Sequence, residues 1–248
     1  MRIVKIVIVG IWLALAAVPL AICTAAESEP GEPSQPNWDT VWGKQAVVAN
    51  IRNFIAAVDA ERMSQALFYL SKDPLPFRKL NHTVPGHEKC TLHEADDYLA
   101  AKLQSRGYQV QREAVQVQAY RRDTNKPLHH QYSRPMPEDP WYTAYNLYAE
   151  KKGRSRPSEI IVVLAHKDSQ SWIEGYAPGA YDNGVGTVAL MEIARVLAAY
   201  PSQRSIWFLF CNEEHTPWTS AVAAQNLANS SYNVVGVLNV DSLGGKSA

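Results

Sequence analysis

The pattern of apolar positions changes character midway along the chain. In the first half they recur at helical spacing: Val47, Val48, Ile51, Phe54, Ile55 and Val58 predict an amphipathic helix starting near Lys44. A second, short helix is expected over residues 61–70. Thr91-Leu92-His93-Glu94 reads as a capping box, and Ala95, Tyr98, Leu99 and Leu103 continue an apolar face until Gly107 stops it. Tyr108, Val110, Val115 and Val117 predict a half-buried strand or hairpin arm. The Pro-, His- and charge-rich residues 120–143 predict a long surface loop. In the second half the apolar runs become continuous. Residues 160–165, 206–210 and 234–240 read as strands covered on both faces, and residues 188–199 as a strongly apolar helix. Such strands alternating with helices predict an α/β fold, a three-layer sandwich around a mostly parallel central sheet.

The N-terminus follows a different logic. Arg2 and Lys5 precede an apolar run over residues 6–22, with small residues around Thr24, Ala25 and Ala26. That layout predicts a signal peptide over residues 1–26, with an uncleaved anchor over residues 6–26 as the alternative. A Pro-rich linker over residues 27–43 leads to the main domain at 44–248. The expected location is secreted, periplasmic or extracellular, with a membrane contact only through that anchor.

Composition narrows the class. The 248 residues are 46% hydrophobic and 19% charged, which excludes collagen-like, disordered and multi-span membrane chains. Lys+Arg and Asp+Glu number 24 each, so no net field draws the protein to nucleic acid. Loss of residues 1–26 removes Arg2 and Lys5 and leaves a slightly acidic chain. Three cysteines exclude a disulfide framework. Beyond Cys23, Cys90 and Cys211 stay open between a single pair and two free thiols.

The chemistry collects where open α/β sheets place it, past the carboxyl ends of the strands. The first buried strand runs into His166-Lys167-Asp168-Ser169, the second into Asn212-Glu213-Glu214-His215 and the third into Asp241. Between the first two lies Pro178-Gly179-Ala180-Tyr181-Asp182-Asn183-Gly184-Val185-Gly186. An imidazole and several carboxylates converging on one sheet edge suit a divalent cation, and their donor types suit a catalytic rather than a closed thiolate site. The adjacent Glu213 and Glu214 can divide the labour between ligand and general base. Asp168, two residues past His166, is placed to accept the imidazole N–H and fix its tautomer.

The segments AHKDS (165–169), PGAYDNGVG (178–186), FCNEEH (210–215) and LNVDSLG (238–244) resemble the family-28 metallopeptidases, secreted aminopeptidases with two co-catalytic zinc ions. Weaker similarity reaches back over residues 93–110. The resemblance implies a zinc-aminopeptidase fold of the phosphorylase/hydrolase-like type. It also implies that His166 and Asp241 bind one zinc, Glu214 the other, and Asp182 both, through a cis peptide to Asn183. Glu213 is then the general base, Asp168 orients His166, and the substrates are peptide or protein N-termini. The family has a fifth ligand, a histidine well downstream of the last Asp, so a catalytic domain incomplete at its C-terminus is expected. His215 reads as a bystander.

Two other readings stand beside this one. A glutaminyl cyclase shares the fold and uses a single zinc, and a non-catalytic relative would keep the fold as a binding ectodomain. The Gly184-Val185-Gly186 stretch mimics a dinucleotide fingerprint, but no strand directly precedes it, so the glycines read as a tight helix start. No G-x-S-x-G supports a serine hydrolase. Trp172, Tyr176 and Trp218 lie in loops near the motifs, where a side-chain pocket and ordinary packing are both open.

Overall fold

The computed structural model describes residues 9–10, 45–123, 125–127, 130–169 and 176–244. The expectations for residues 1–43 lie outside these, Val9–Gly10 apart, as does Trp172. The chain divides into two compact units, residues 11–58 and residues 1–10 with 59–248. The first unit contains α1 (Gln45–Ala56), the amphipathic helix foreseen from its apolar spacing. Among the described residues no helix is long and apolar enough to cross a membrane.

The larger unit contains, in chain order, β1 (Val9–Gly10), α2 (Ala60–Ser71), α3 (Thr91–Gln104), β2 (Val110–Ala119), β3 (Arg121–Arg122), β4 (Tyr132–Ser133) and β5 (Tyr142–Lys151). Then follow β6 (Arg156–His166), α4 (Val185–Leu197), β7 (Arg204–Cys211), β8 (His215–Thr216), α5 (Thr219–Ala228) and β9 (Asn233–Asn239). Seven strands form one sheet in the order β1-β9-β6-β7-β5-β2-β8. Strands β9, β6 and β7 run parallel, as their apolar runs predict. On the far side of β7 the sheet continues through antiparallel β5 and β2.

The central strands show why unbroken apolar runs mark a doubly covered sheet. Along β6, Ile161, Val163 and Ala165 face one core while Ile160, Val162 and Leu164 face the other. Along β7, Ile206, Phe208 and Phe210 alternate in the same way with Trp207, Leu209 and Cys211. The first core is closed by Ala66 and Leu70 of α2, Leu99 and Leu103 of α3, and Val188 and Ala194 of α4. The second is closed by Ala223 and Leu227 of α5. Helices therefore lie on both faces, the three-layer arrangement expected. Cys90 and Cys211 are both free thiols.

Two local readings are corrected. Thr91 does not cap its own helix. Cys90 holds that position without a side-chain capping bond, and the Thr91 hydroxyl donates to the Lys79 carbonyl and accepts from the Lys79 amide at 2.9 Å. Glu94 turns instead to His87, 2.8 Å away. Tertiary partners outcompete the local cap because they also tie down the preceding loop. The loop foreseen over 120–143 is shorter than expected, since β5 begins at Tyr142 and β3 pairs with β4 inside it.

One charged pair sits inside the larger core. Lys167, just beyond the end of β6, places Nζ 2.8 Å from Asp96 Oδ1 of α3, with both side chains fully buried. It also donates to Asn212 Oδ1 at 2.6 Å. A buried pair is costly to break, because the surviving charge has no solvent. Asp96→Leu is expected to destabilise the protein by about 3–5 kcal/mol, whereas Asp96→Leu with Lys167→Met is expected to be near neutral. Urea unfolding of the two variants beside wild type measures the difference.

Candidate metal centre

Parallel pairing brings the strand ends level. His166 at the end of β6 sits opposite Cys211 at the end of β7, and Leu164 opposite Asn239 at the end of β9. The backbone continues this register one step further, with Lys167 N donating to Cys211 O at 2.9 Å and Val240 N to Leu164 O at 2.8 Å. His166, Glu213, Glu214 and Asp241 therefore leave the sheet from one edge.

Asp182 reaches the same edge from an irregular turn, Ala180–Gly184, ahead of α4. Its peptide bond to Asn183 is cis, as the resemblance implied. The buried Asn183 side chain joins this turn to the end of β9: Nδ2 donates to Val240 O at 2.9 Å, and Oδ1 accepts from the Gly186 amide at 3.0 Å and the Ser242 amide at 3.2 Å. Gly186 permits that approach, since a Cβ there would lie 2.2 Å from Asn183 Oδ1 and 2.4 Å from Val240 O. The glycine-rich stretch thus serves packing against Asp241's strand, in line with its reading as a tight helix start.

Three of the four foreseen ligands come together. One donor atom from each of His166, Asp182 and Asp241 lies within 4.8 Å of the others. His166 Nε2 is 3.0 Å from Asp182 Oδ1 and 3.8 Å from Asp241 Oδ1. The imidazole is buried, while both carboxylates are partly exposed. Glu214 stands outside this group of three.

Asp168 organises the back of the site. It is fully buried and receives three hydrogen bonds: His166 Nδ1 at 3.2 Å, the Glu213 amide at 3.0 Å and the Glu214 amide at 2.9 Å. Burial opposes its charge, but the His166 bond, the nearby His215 and the Glu214 amide prevail and hold its pKa at about 2. His215 lies on this second side, its Nε2 3.5 Å from Asp168 Oδ2 and its Nδ1 donating to Pro217 O. It is not among the three clustered ligands.

The same surroundings act on the other groups. Burial works against a charged His166, yet its bonds to Asp168 and Asp182 and the nearby Asp241 raise its pKa to about 10. Burial, reinforced by Asp168, pushes Glu214 up to about 7. Burial likewise raises Glu213, against an opposing bond from Ser220. One Glu213 oxygen, Oε1, is buried without a hydrogen-bond partner. A proton-rich imidazole facing two carboxylates and an orphaned carboxyl oxygen beside them is a donor set that a divalent cation with a water ligand would satisfy. Tyr176 and Trp218 of the surrounding loops are solvent-exposed rather than packed.

Residues 146–248 match the family model described as Peptidase family M28. Among curated relatives, a probable zinc metalloprotease from Pyrenophora tritici-repentis is 32% identical over 173 residues, covering 66% of this chain and 33% of its own length. The chain thus spans about a third of the first relatives it matches. Among solved structures, a leucine aminopeptidase precursor from Bacteroides thetaiotaomicron aligns with a TM-score of 0.57 at 20% identity, covering 77% of this chain and 64% of that one. A glutaminyl cyclase from Porphyromonas gingivalis aligns with a TM-score of 0.54 at 19% identity, covering 77% and 62%. Both structural likenesses speak to the fold.

Metal uptake at this cluster must displace the proton that His166 holds up to a pKa of about 10. The raised pKa sets the sign: below it proton and cation compete, so apparent affinity increases with pH. Chelator competition with Zn²⁺ is expected to show affinity rising about tenfold per pH unit between about pH 7 and 9, with about one proton released per ion by calorimetry in two buffers.

Proposed function

We propose that the chain, whose residues 146–248 match the family model described as Peptidase family M28, is a zinc-dependent aminopeptidase, hydrolysing the first peptide bond of peptide or protein N-termini. The observation that carries this reading is the convergence of His166, Asp182 and Asp241 beside Glu213, which has one buried carboxyl oxygen. In the proposal these three residues hold one zinc, and Asp182 and Glu214 hold a second. The signal-peptide pattern of residues 1–26 supports work outside the cytoplasmic membrane.

Bound zinc would supply Lewis acidity, polarising the scissile carbonyl and lowering the pKa of water. The chain's own residues do the rest. Asp168 keeps the Nδ1–H of His166 engaged, so the Nε2 lone pair is the one available to a cation. Glu213 takes the proton of the attacking water and passes it to the leaving amine nitrogen. Burial fits it for both halves of that task by raising its affinity for the proton.

A second reading, a single-zinc cyclase of N-terminal glutamine, draws on the three-residue cluster that leaves Glu214 aside. Comparing turnover of a leucyl anilide and a glutaminyl peptide separates the two. On the aminopeptidase reading Glu213→Gln retains zinc and lowers kcat by about 10²–10⁴. Steady-state kinetics with metal analysis of the purified chain tests this, and unchanged kcat would remove Glu213 from the mechanism.

A further inference from the structure

Arg78 lies in the loop between α2 and α3, far in sequence from every strand-end motif, and its side chain is fully buried. Among the described residues no carboxylate forms an ion pair with it. Its guanidinium instead donates to four backbone carbonyls: Nε to Lys167 O, Nη1 to Leu70 O at 2.7 Å and Pro178 O at 2.9 Å, and Nη2 to Gly179 O at 2.8 Å. The backbone of Arg78 adds bonds to Ser169, its amide donating to Oγ at 2.9 Å and its carbonyl accepting from the Ser169 amide at 3.0 Å and, more weakly, from Oγ at 3.4 Å.

The carbonyls it gathers are informative. Lys167 directly follows His166, and Pro178 and Gly179 lead into the turn that carries Asp182. Gly179 O also accepts from the Gly184 amide at 2.7 Å, closing the turn around Asp182. Gly179 has a φ of 56°, and a Cβ there would lie 2.9 Å from Arg78 Nη2 and 2.7 Å from Asp182 O. One rigid fork therefore spans the two backbones whose separation sets the distance between His166 and Asp182. A lysine carries the same charge on a single nitrogen and has no such span.

We propose that Arg78 is a positioning residue for the metal centre, holding the Lys167 and Pro178–Gly179 backbones at the spacing at which His166 and Asp182 share one cation. The inference rests on the metal reading above. Geometry rather than charge is the operative property, so the conservative replacement is the informative one. Burial of the guanidinium is costly, and its pKa falls to about 10 against the opposing pull of Asp168 and Asp182. A role in general packing alone would be met more cheaply by an apolar side chain.

The test compares the full chain with Arg78→Lys, Gly179→Ala and the double variant. It uses chelator competition for Zn²⁺, the visible spectrum of the Co²⁺-loaded protein, and near-UV circular dichroism of the metal-free forms. Each single variant is expected to bind Zn²⁺ at least tenfold more weakly, with an altered Co²⁺ spectrum and retained dichroism. The double variant is expected to be no weaker than the weaker single one, because both break the same link. Arg78→Lys with wild-type affinity and spectrum would overturn the inference, as would additive losses. Loss of the dichroism in Arg78→Lys would overturn it too, by making the residue a requirement of folding. If the wild-type chain takes up no metal, the functional reading fails and the inference falls with it; wild-type uptake matched by Arg78→Lys sinks the inference alone.

Discussion

A fully buried carboxylate that stays ionised is the constraint around which the site is built. Asp168 has no solvent to stabilise its charge, so the protein must supply every donor. It does so from two chain segments, the His166 ring just before it and the consecutive amides of Glu213 and Glu214 beyond β7. Satisfying one charge thus fixes the imidazole and orients the two glutamates. Any shift of β6 against β7 would break those bonds together. The parallel register of the two strands and the chemistry of the site are therefore one requirement.

The acidic groups at this edge call for compensation from beneath. Lys167 and Arg78, both buried, provide it in different ways. Lys167 pairs with Asp96 and so anchors α3 to the end of β6. Arg78 meets carbonyls and joins backbones. Burial opposes a charged His166, but its carboxylate neighbours favour its protonated form, while burial and the nearby Asp168 raise the proton affinity of Glu214. A divalent cation can take over from those protons, since it supplies positive charge at the same place.

The parts legible from the residues alone were those with a strong local or repetitive signal. Residues 160–165 and 206–210 are apolar without a break because both faces of β6 and β7 are covered. His166, Glu214 and Asp241 were legible because each lies at or just past the end of such a strand, and Asp182 because of the glycine-rich motif that carries it ahead of α4. β5 was missed. Its Tyr, Thr, Asn and Ala positions carry a weak apolar alternation, and the buried Asn146 bonds to Glu113 and Thr219, partners distant in sequence. The capping box around Thr91 had the right letters, but the hydroxyl found a better partner at Lys79. Arg78 gave no signal, since an isolated arginine in a loop usually sits in water.

Residue order thus settled the fold class, the parallel strands and the identities at their ends, because these depend on runs and spacings within one segment. It left open which acids meet the imidazole. Folding brought His166, Asp182 and Asp241 together, left Glu214 outside that group and buried Asp168 where its charge needs donors from two segments. Ligand distances of a few ångströms and the charge a buried group carries depend on atoms remote in sequence, and those meet only when the strand ends and the Asp182 turn are packed together.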